Sequence, residues 1–173
     1  MENKETKLIL SFDTADETKR WARVNDGVMG GLSQSELVFT SSGTALFHGT
    51  VSLENYGGFA SVRTSPYPYQ LGGYEGVALR VRGDGHRYRL RFRTDDSYDG
   101  VAYQASFDTV TNDWRVIHIR FSDCMPTFRG RRVSNAPSLD GRLIQQIGFM
   151  IADKQEGPFQ LEIDWVKAYK AAK

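Results

Sequence analysis

Val77-Ala-Leu-Arg-Val-Arg-Gly-Asp-Gly-His-Arg-Tyr-Arg-Leu-Arg-Phe-Arg93 alternates apolar and polar side chains on both sides of a glycine-bracketed aspartate. Successive residues of a β-strand point to opposite faces. Val77, Leu79, Val81, Tyr88, Leu90 and Phe92 therefore share one side, and Arg80, Arg82, Arg87, Arg89, Arg91 and Arg93 the other. Gly83-Asp84-Gly85 tolerates the positive φ angles of a tight turn. The stretch reads as a hairpin with six guanidinium groups on one surface.

The same period of two recurs outward from this run, at residues 7–12, 36–40, 45–53, 58–64, 101–107, 115–121, 144–151 and 159–169. Ser41-Ser42-Gly43 supplies a hairpin turn between two of them. Only residues 16–24, preceded by Thr14 as a cap, read as a short helix. Short strands joined by turns, with no crossover helices between them, cannot build a parallel sheet. The pattern predicts an all-β fold, an antiparallel β-sandwich or jelly roll. A polar tail over residues 1–6 precedes a single domain over residues 7–170, and residues 122–142 form its longest irregular stretch.

The chain has 173 residues, with 40% hydrophobic and 12% aromatic content, enough to bury one core and too short for two. Its formal charge of +1 excludes the strong basic excess of a general nucleic-acid binder. That total conceals a segregation, because every Arg lies between residues 20 and 142 and every Lys at or before 19 or at or after 154. Cys124 is the only cysteine, which rules out a disulfide scaffold and any thiolate-rich zinc site. The N-terminal residues carry no secretory h-region, and no apolar run approaches the roughly 18 residues of a membrane span. These features predict a cytoplasmic location, or a mitochondrial one after removal of a targeting segment.

Catalytic and cofactor motifs find no footing. Asp26-Gly-Val-Met-Gly-Gly31 matches neither the dinucleotide nor the Walker pattern, and no Lys follows its glycines. Asp95-Asp-Ser-Tyr-Asp-Gly100 looks like a calcium loop, but position twelve is Ser106 where an EF-hand needs Glu. His48, His86 and His118 lack metal-ligand spacing, and there is no G-x-S-x-G elbow. The expectation is a non-enzyme with no cofactor and no metal. The Arg face reads either as an anion or acidic-partner surface, or as a solvated face whose arginines pair with acids on neighbouring strands.

Trp21-Ala-Arg-Val-Asn-Asp-Gly-Val-Met-Gly-Gly-Leu-Ser33 and Phe47-His-Gly-Thr-Val-Ser-Leu-Glu-Asn-Tyr-Gly-Gly-Phe-Ala-Ser-Val-Arg63 closely resemble the complex I intermediate-associated protein family. The resemblance continues through Pro126-Thr-Phe-Arg-Gly-Arg131, Ile147-Gly-Phe-Met150 and Gly157-Pro-Phe-Gln-Leu-Glu-Ile-Asp164, and so covers nearly the whole chain. Cys124-Met125 departs from it, standing where an aromatic is expected. The resemblance implies a galactose-binding-like β-sandwich and a non-catalytic role in assembling respiratory NADH:ubiquinone oxidoreductase. It implies protein clients as partners, among them subunits of a membrane respiratory complex. Carbohydrate is the alternative ligand, and RNA a less favoured one. Carried onto this sequence, the expected contact site is Asn25, Asp26, Asn55, Tyr56, Arg63, Arg129 and Arg131, gathered from three segments at one end of the sandwich.

Overall fold

The computed structural model describes residues 6–12, 20–23, 32–54, 57–95, 100–128 and 131–170. Its strands are β1 (Thr6–Ser11), β2 (Trp21–Arg23), β3 (Gln34–Phe39), β4 (Ala45–Val51), β5 (Ala60–Thr64), β6 (Gly76–Arg82), β7 (Arg87–Arg93), β8 (Ala102–Asp108), β9 (Trp114–Arg120), β10 (Met125–Phe128), β11 (Arg131–Arg132), β12 (Gln146–Ile151) and β13 (Gly157–Tyr169). Among the described residues they pair, antiparallel throughout, into two sheets. The first sheet runs β3-β4-β13-β6-β9, with β1 also on β13; the second runs β11-β10-β8-β7-β12-β5-β2. The expected sandwich is the fold.

Strand alternation builds the core. Val77, Leu79 and Val81 of β6 face Tyr88, Leu90 and Phe92 of β7 across the interior, joined by Phe47, Phe149, Leu161 and Ile163. Phe47 meets Phe159 edge-on, with ring centroids 4.9 Å apart. Each such fully buried side chain contributes about 1.5–3 kcal/mol. The expected turn at 41–43 is also present: Gly43 takes φ 77, and Thr40 N–H donates to Thr44 O at 2.8 Å.

Three local expectations are corrected. The run 77–93 is not a hairpin: β6 pairs with β13 and β9, while β7 pairs with β12 and β8. Gly83-Asp84-Gly85 therefore carries the chain from one sheet to the other, and the six arginines divide into Arg80 and Arg82 on the first sheet and Arg87, Arg89, Arg91 and Arg93 on the second. Of the helix expected at 16–24, residues 16–19 and 24 lie outside the described residues, and Trp21–Arg23 is instead a strand that pairs with β5, its Trp21 ring stacked on Phe149 at 6.0 Å. The irregular stretch 122–142 contains β10 and β11, which extend the second sheet beyond β8.

The crossing between sheets is held by Asp84. Its Oδ1 accepts from Tyr88 Oη at 2.9 Å and from His86 N–H at 3.1 Å, and its Oδ2 accepts from Gln160 N–H at 2.8 Å. His86 Nδ1 comes within 2.9 Å of Oδ2, off line for a hydrogen bond, so that contact is Coulombic when the ring is protonated. Burial pushes the Asp84 carboxyl up, but the Gln160 and His86 contacts outweigh it and leave the pKa below the usual carboxylate value. Burial, followed by the neighbouring Asp84 charge, raises the Tyr88 phenol, which stays protonated as a donor.

Candidate functional site

The outer face of the second sheet follows from strand register. Arg63 of β5 lies opposite Gly148 of β12, Gly148 opposite Arg91 of β7, Arg91 opposite Gln104 of β8, and Gln104 opposite Met125 of β10. The neighbouring row places Ser61, Met150, Arg89 and Ser106 side by side, and the row on the other side places Gln146, Arg93, Ala102 and Thr127. Arg63 and Arg91 stand two strands apart, about 10 Å between Cα atoms. Gly148 lies between them and offers no side chain. Gly148 is buried, and a Cβ there would come within 2.8 Å of Val62 O and 3.1 Å of Arg63 Cβ, so β12 and β5 pack too closely for a side chain at this position.

The arginines of this face differ in what they hold. Arg87 Nε donates to Asp108 at 2.9 Å, Arg89 Nη2 to Asp153 at 2.5 Å, and Arg93 Nη1 to the carbonyl of Gly100 at 2.8 Å. Arg91 has no acceptor for any of its N–H groups among the described residues, although its Nε is buried. Burial first, then the charges of Arg93, Arg89 and Arg63, pulls its pKa down to about 10. It remains a cation at neutral pH, half-buried among like charges with no counterion among the described residues, a costly position for an isolated charge.

The first sheet presents the opposite situation. Arg80 Nη1 donates to Asp164 at 2.7 Å, Arg82 Nη2 to Glu162 at 2.6 Å, and Thr44 Oγ1 to the other Glu162 oxygen at 2.6 Å. The Trp114 ring lies under both guanidinium groups, at 4.2 and 5.0 Å. The solvated, internally paired face is the correct reading for Arg80 and Arg82.

Of the expected contact residues, Asn25, Asp26, Asn55, Tyr56 and Arg129 lie outside the described residues. Arg63 sits on the outer face beside Gly148. Arg131 is in β11, at the far edge of the same sheet, with β10, β8, β7 and β12 between it and β5. β5 and β2, which flank the Asn55 and Asn25 segments, are neighbours at the other edge. Arg63 and Arg131 thus stand on strands near opposite edges of the second sheet. Sequence reading missed Gly148. A glycine inside the alternating run Gln146-Ile-Gly-Phe-Met150 is the signal that marks it. No group of His, Cys, Asp and Glu suited to a metal occurs among the described residues, and no helix there is long and apolar enough to cross a membrane.

The fold is shared with carbohydrate-binding modules. A family 11 module of a Clostridium thermocellum cellulase superposes with a TM-score of 0.71 at 17% identity, over 96% of this chain and 95% of that one. The family 11 module in complex with a β-1,3-1,4-mixed-linked tetrasaccharide gives a TM-score of 0.69 at 16% identity, over 96% of each chain. In sequence, the chain is 26% identical to the mitochondrial complex I intermediate-associated protein 30 of Drosophila melanogaster over 184 residues, 94% of this chain and 62% of that protein. It is 26% identical to the Mus musculus protein of the same name over 185 residues, 95% of this chain and 56% of that protein. The chain spans a little over half the length of these relatives. Residues 10–163 match the family description over most of the sandwich, and the chain belongs to the complex I intermediate-associated protein 30 (CIA30) family.

Proposed function

We propose that this chain is a non-catalytic binding module that serves the assembly of respiratory complex I by holding protein clients on the outer face of its second sheet. The family match across residues 10–163 is the observation that carries the reading, because the relatives are named for association with a complex I intermediate. The Arg-bearing sheet face is the surface best suited to a client, since arginine combines charge with a fork of donors and is favoured at interface hot spots. The relatives named as mitochondrial support a mitochondrial place of work.

Carbohydrate binding is the second reading, favoured by the likeness to family 11 modules. Against it, the outward positions of β5, β12, β7 and β8 carry no aromatic side chain among the described residues, so that face lacks a stacking platform for a sugar ring. The test is co-migration: the tagged chain, expressed in its native cell, is followed with complex I subunits on native gels. Co-migration with partly assembled complex I is expected. A chain that never meets these subunits, and whose deletion leaves complex I levels intact, would rule the function out.

A further inference from the structure

We propose that two copies of this chain join edge to edge through β9, as a two-fold dimer in which the first sheet of one copy continues into that of the other. The inference is independent of the protein-client reading and concerns a different part of the sandwich.

Three observations carry it. First, β9 is an open edge. It pairs with β6 on one side and with no strand on the other, and among the described residues its one further backbone contact is Arg120 O, which takes the Cys124 thiol. Arg115, Val116, His118 and Arg120 are exposed, Val116 to 48%. The other edges are poorer templates. β2 and β11 have three and two residues, β1 is broken by a register shift between Leu8 and Leu10, and β3 lies against β2 and β5 of the second sheet.

Second, the edge is unguarded. Trp114-Arg-Val-Ile-His-Ile-Arg120 is a run of high strand propensity with no Pro, Gly, Lys or acidic residue, and its register with β6 is unbroken. Its two arginines are neutralised from within the chain, Arg115 by Asp113 at 3.0 Å and Arg120 by Asp123 at 3.1 Å.

Third, the strand is complementary to itself. An antiparallel copy related by an axis through Ile117 pairs the whole strand: Trp114 faces Arg120 of the second copy, Arg115 faces Ile119, Val116 faces His118, and Ile117 faces itself. No charge meets a like charge, and each guanidinium of Arg120 gains an aromatic surface. A slip of two residues leaves the strand ends unpaired, and a slip of one would turn Ile117 and Ile119 away from the core side. This self-complementarity selects the occupant, because a two-fold contact requires one strand to serve as its own partner.

The test is analytical ultracentrifugation of the untagged full chain at concentrations up to roughly 100 µM, the range of a modest contact. A mass that rises with concentration from 19.5 kDa towards twice that value is expected. Val116→Lys should weaken the dimer at least tenfold, since the new ammonium stands diagonally across the axis from its own copy and from Arg120. Val116 is exposed, so the thermal midpoint of this variant should match the parent's and separate lost pairing from lost folding. Ile117→Cys sets two thiols opposite each other at a Cα separation of about 4.5–5.5 Å, which a disulfide spans. In a glutathione buffer it should form a cross-linked dimer faster than Leu8→Cys, an exposed position on the opposite flank of the same sheet. The proposal is overturned if the chain stays monomeric throughout this range, if Val116→Lys dimerises as the parent does, or if Ile117→Cys cross-links no faster than Leu8→Cys. It is also overturned if the amides of residues 114–120 gain protection from hydrogen exchange only when a different protein is added, and not as the concentration of this chain rises.

Discussion

The carboxylate of Asp84 accepts the backbone N–H of Gln160 at 2.8 Å, so the turn that leaves β6 is fastened to β13, at the centre of the first sheet, before the chain enters β7 in the second. The Tyr88 hydroxyl completes the tie from the other side. This contact gives the first prediction a clear sign. A carboxyl whose native pKa is depressed stabilises the fold above its unfolded pKa of about 3.9, and the contribution fades as pH falls through the native value. Asp84→Asn should cost about 1.5–3 kcal/mol at pH 7, measured by urea unfolding, with the difference from the parent shrinking in titrations below pH 4. An unchanged midpoint at pH 7 would mean that Asp84 ties nothing.

Gly83 sets the spacing of the same turn. A Cβ at this position would lie 2.2 Å from Thr109 Cβ, and Thr109 Oγ1 itself donates to His86 O at 2.7 Å and accepts from Gly85 N–H at 3.1 Å. Gly83→Ala should therefore lower stability by about 3 kcal/mol through overpacking. Gly43→Ala should cost only about 1 kcal/mol, because its positive φ is the only obstacle there and nothing lies within 4 Å of the added methyl. Chemical denaturation of the two variants side by side gives the comparison.

The first-sheet ion pair should behave as structure. Glu162 is 12% exposed and its two oxygens serve Arg82 and Thr44. Glu162→Gln should cost about 1 kcal/mol in urea unfolding, moderated by the half-exposed Arg82, and an unchanged midpoint would mean that the pair carries no structural weight.

Cys124 should be inert in the native state. Burial, with Asp123 adding a smaller push, raises its thiol to about 12, and the Sγ hydrogen points to Arg120 O at 3.6 Å. At pH 8 the thiolate fraction is then on the order of one in ten thousand. Ellman's reagent should find no rapidly reacting thiol in the folded chain and one equivalent after unfolding in guanidinium.

Much of the fold was legible because inward and outward positions alternate without interruption: Leu79, Val81, Tyr88, Leu90 and Phe92 all lie in the core as their spacing requires. The separation of β6 and β7 into different sheets was not legible, because Gly83-Asp84-Gly85 supports a hairpin turn and a sheet-to-sheet crossing equally well. Choosing between them needs Gln160, which lies 76 residues away from Asp84. The surroundings of Arg91 were illegible for the same reason. Arg63, Gly148 and Arg91 become neighbours only through the register of β5, β12 and β7, and local composition does not distinguish Arg91 from the five other arginines of its run, which hold partners of their own.

Because β13 carries β4 and β1 along one side and β6 along the other, the first sheet has no continuous hydrogen-bonded path until its last strand exists. During synthesis the earlier strands of that sheet must wait with open edges, and closure joins residues as distant in sequence as Thr6 and Tyr169. A fold of such high contact order forms slowly and is most exposed to aggregation while nascent, so this sandwich depends on protection until its own final strand is made.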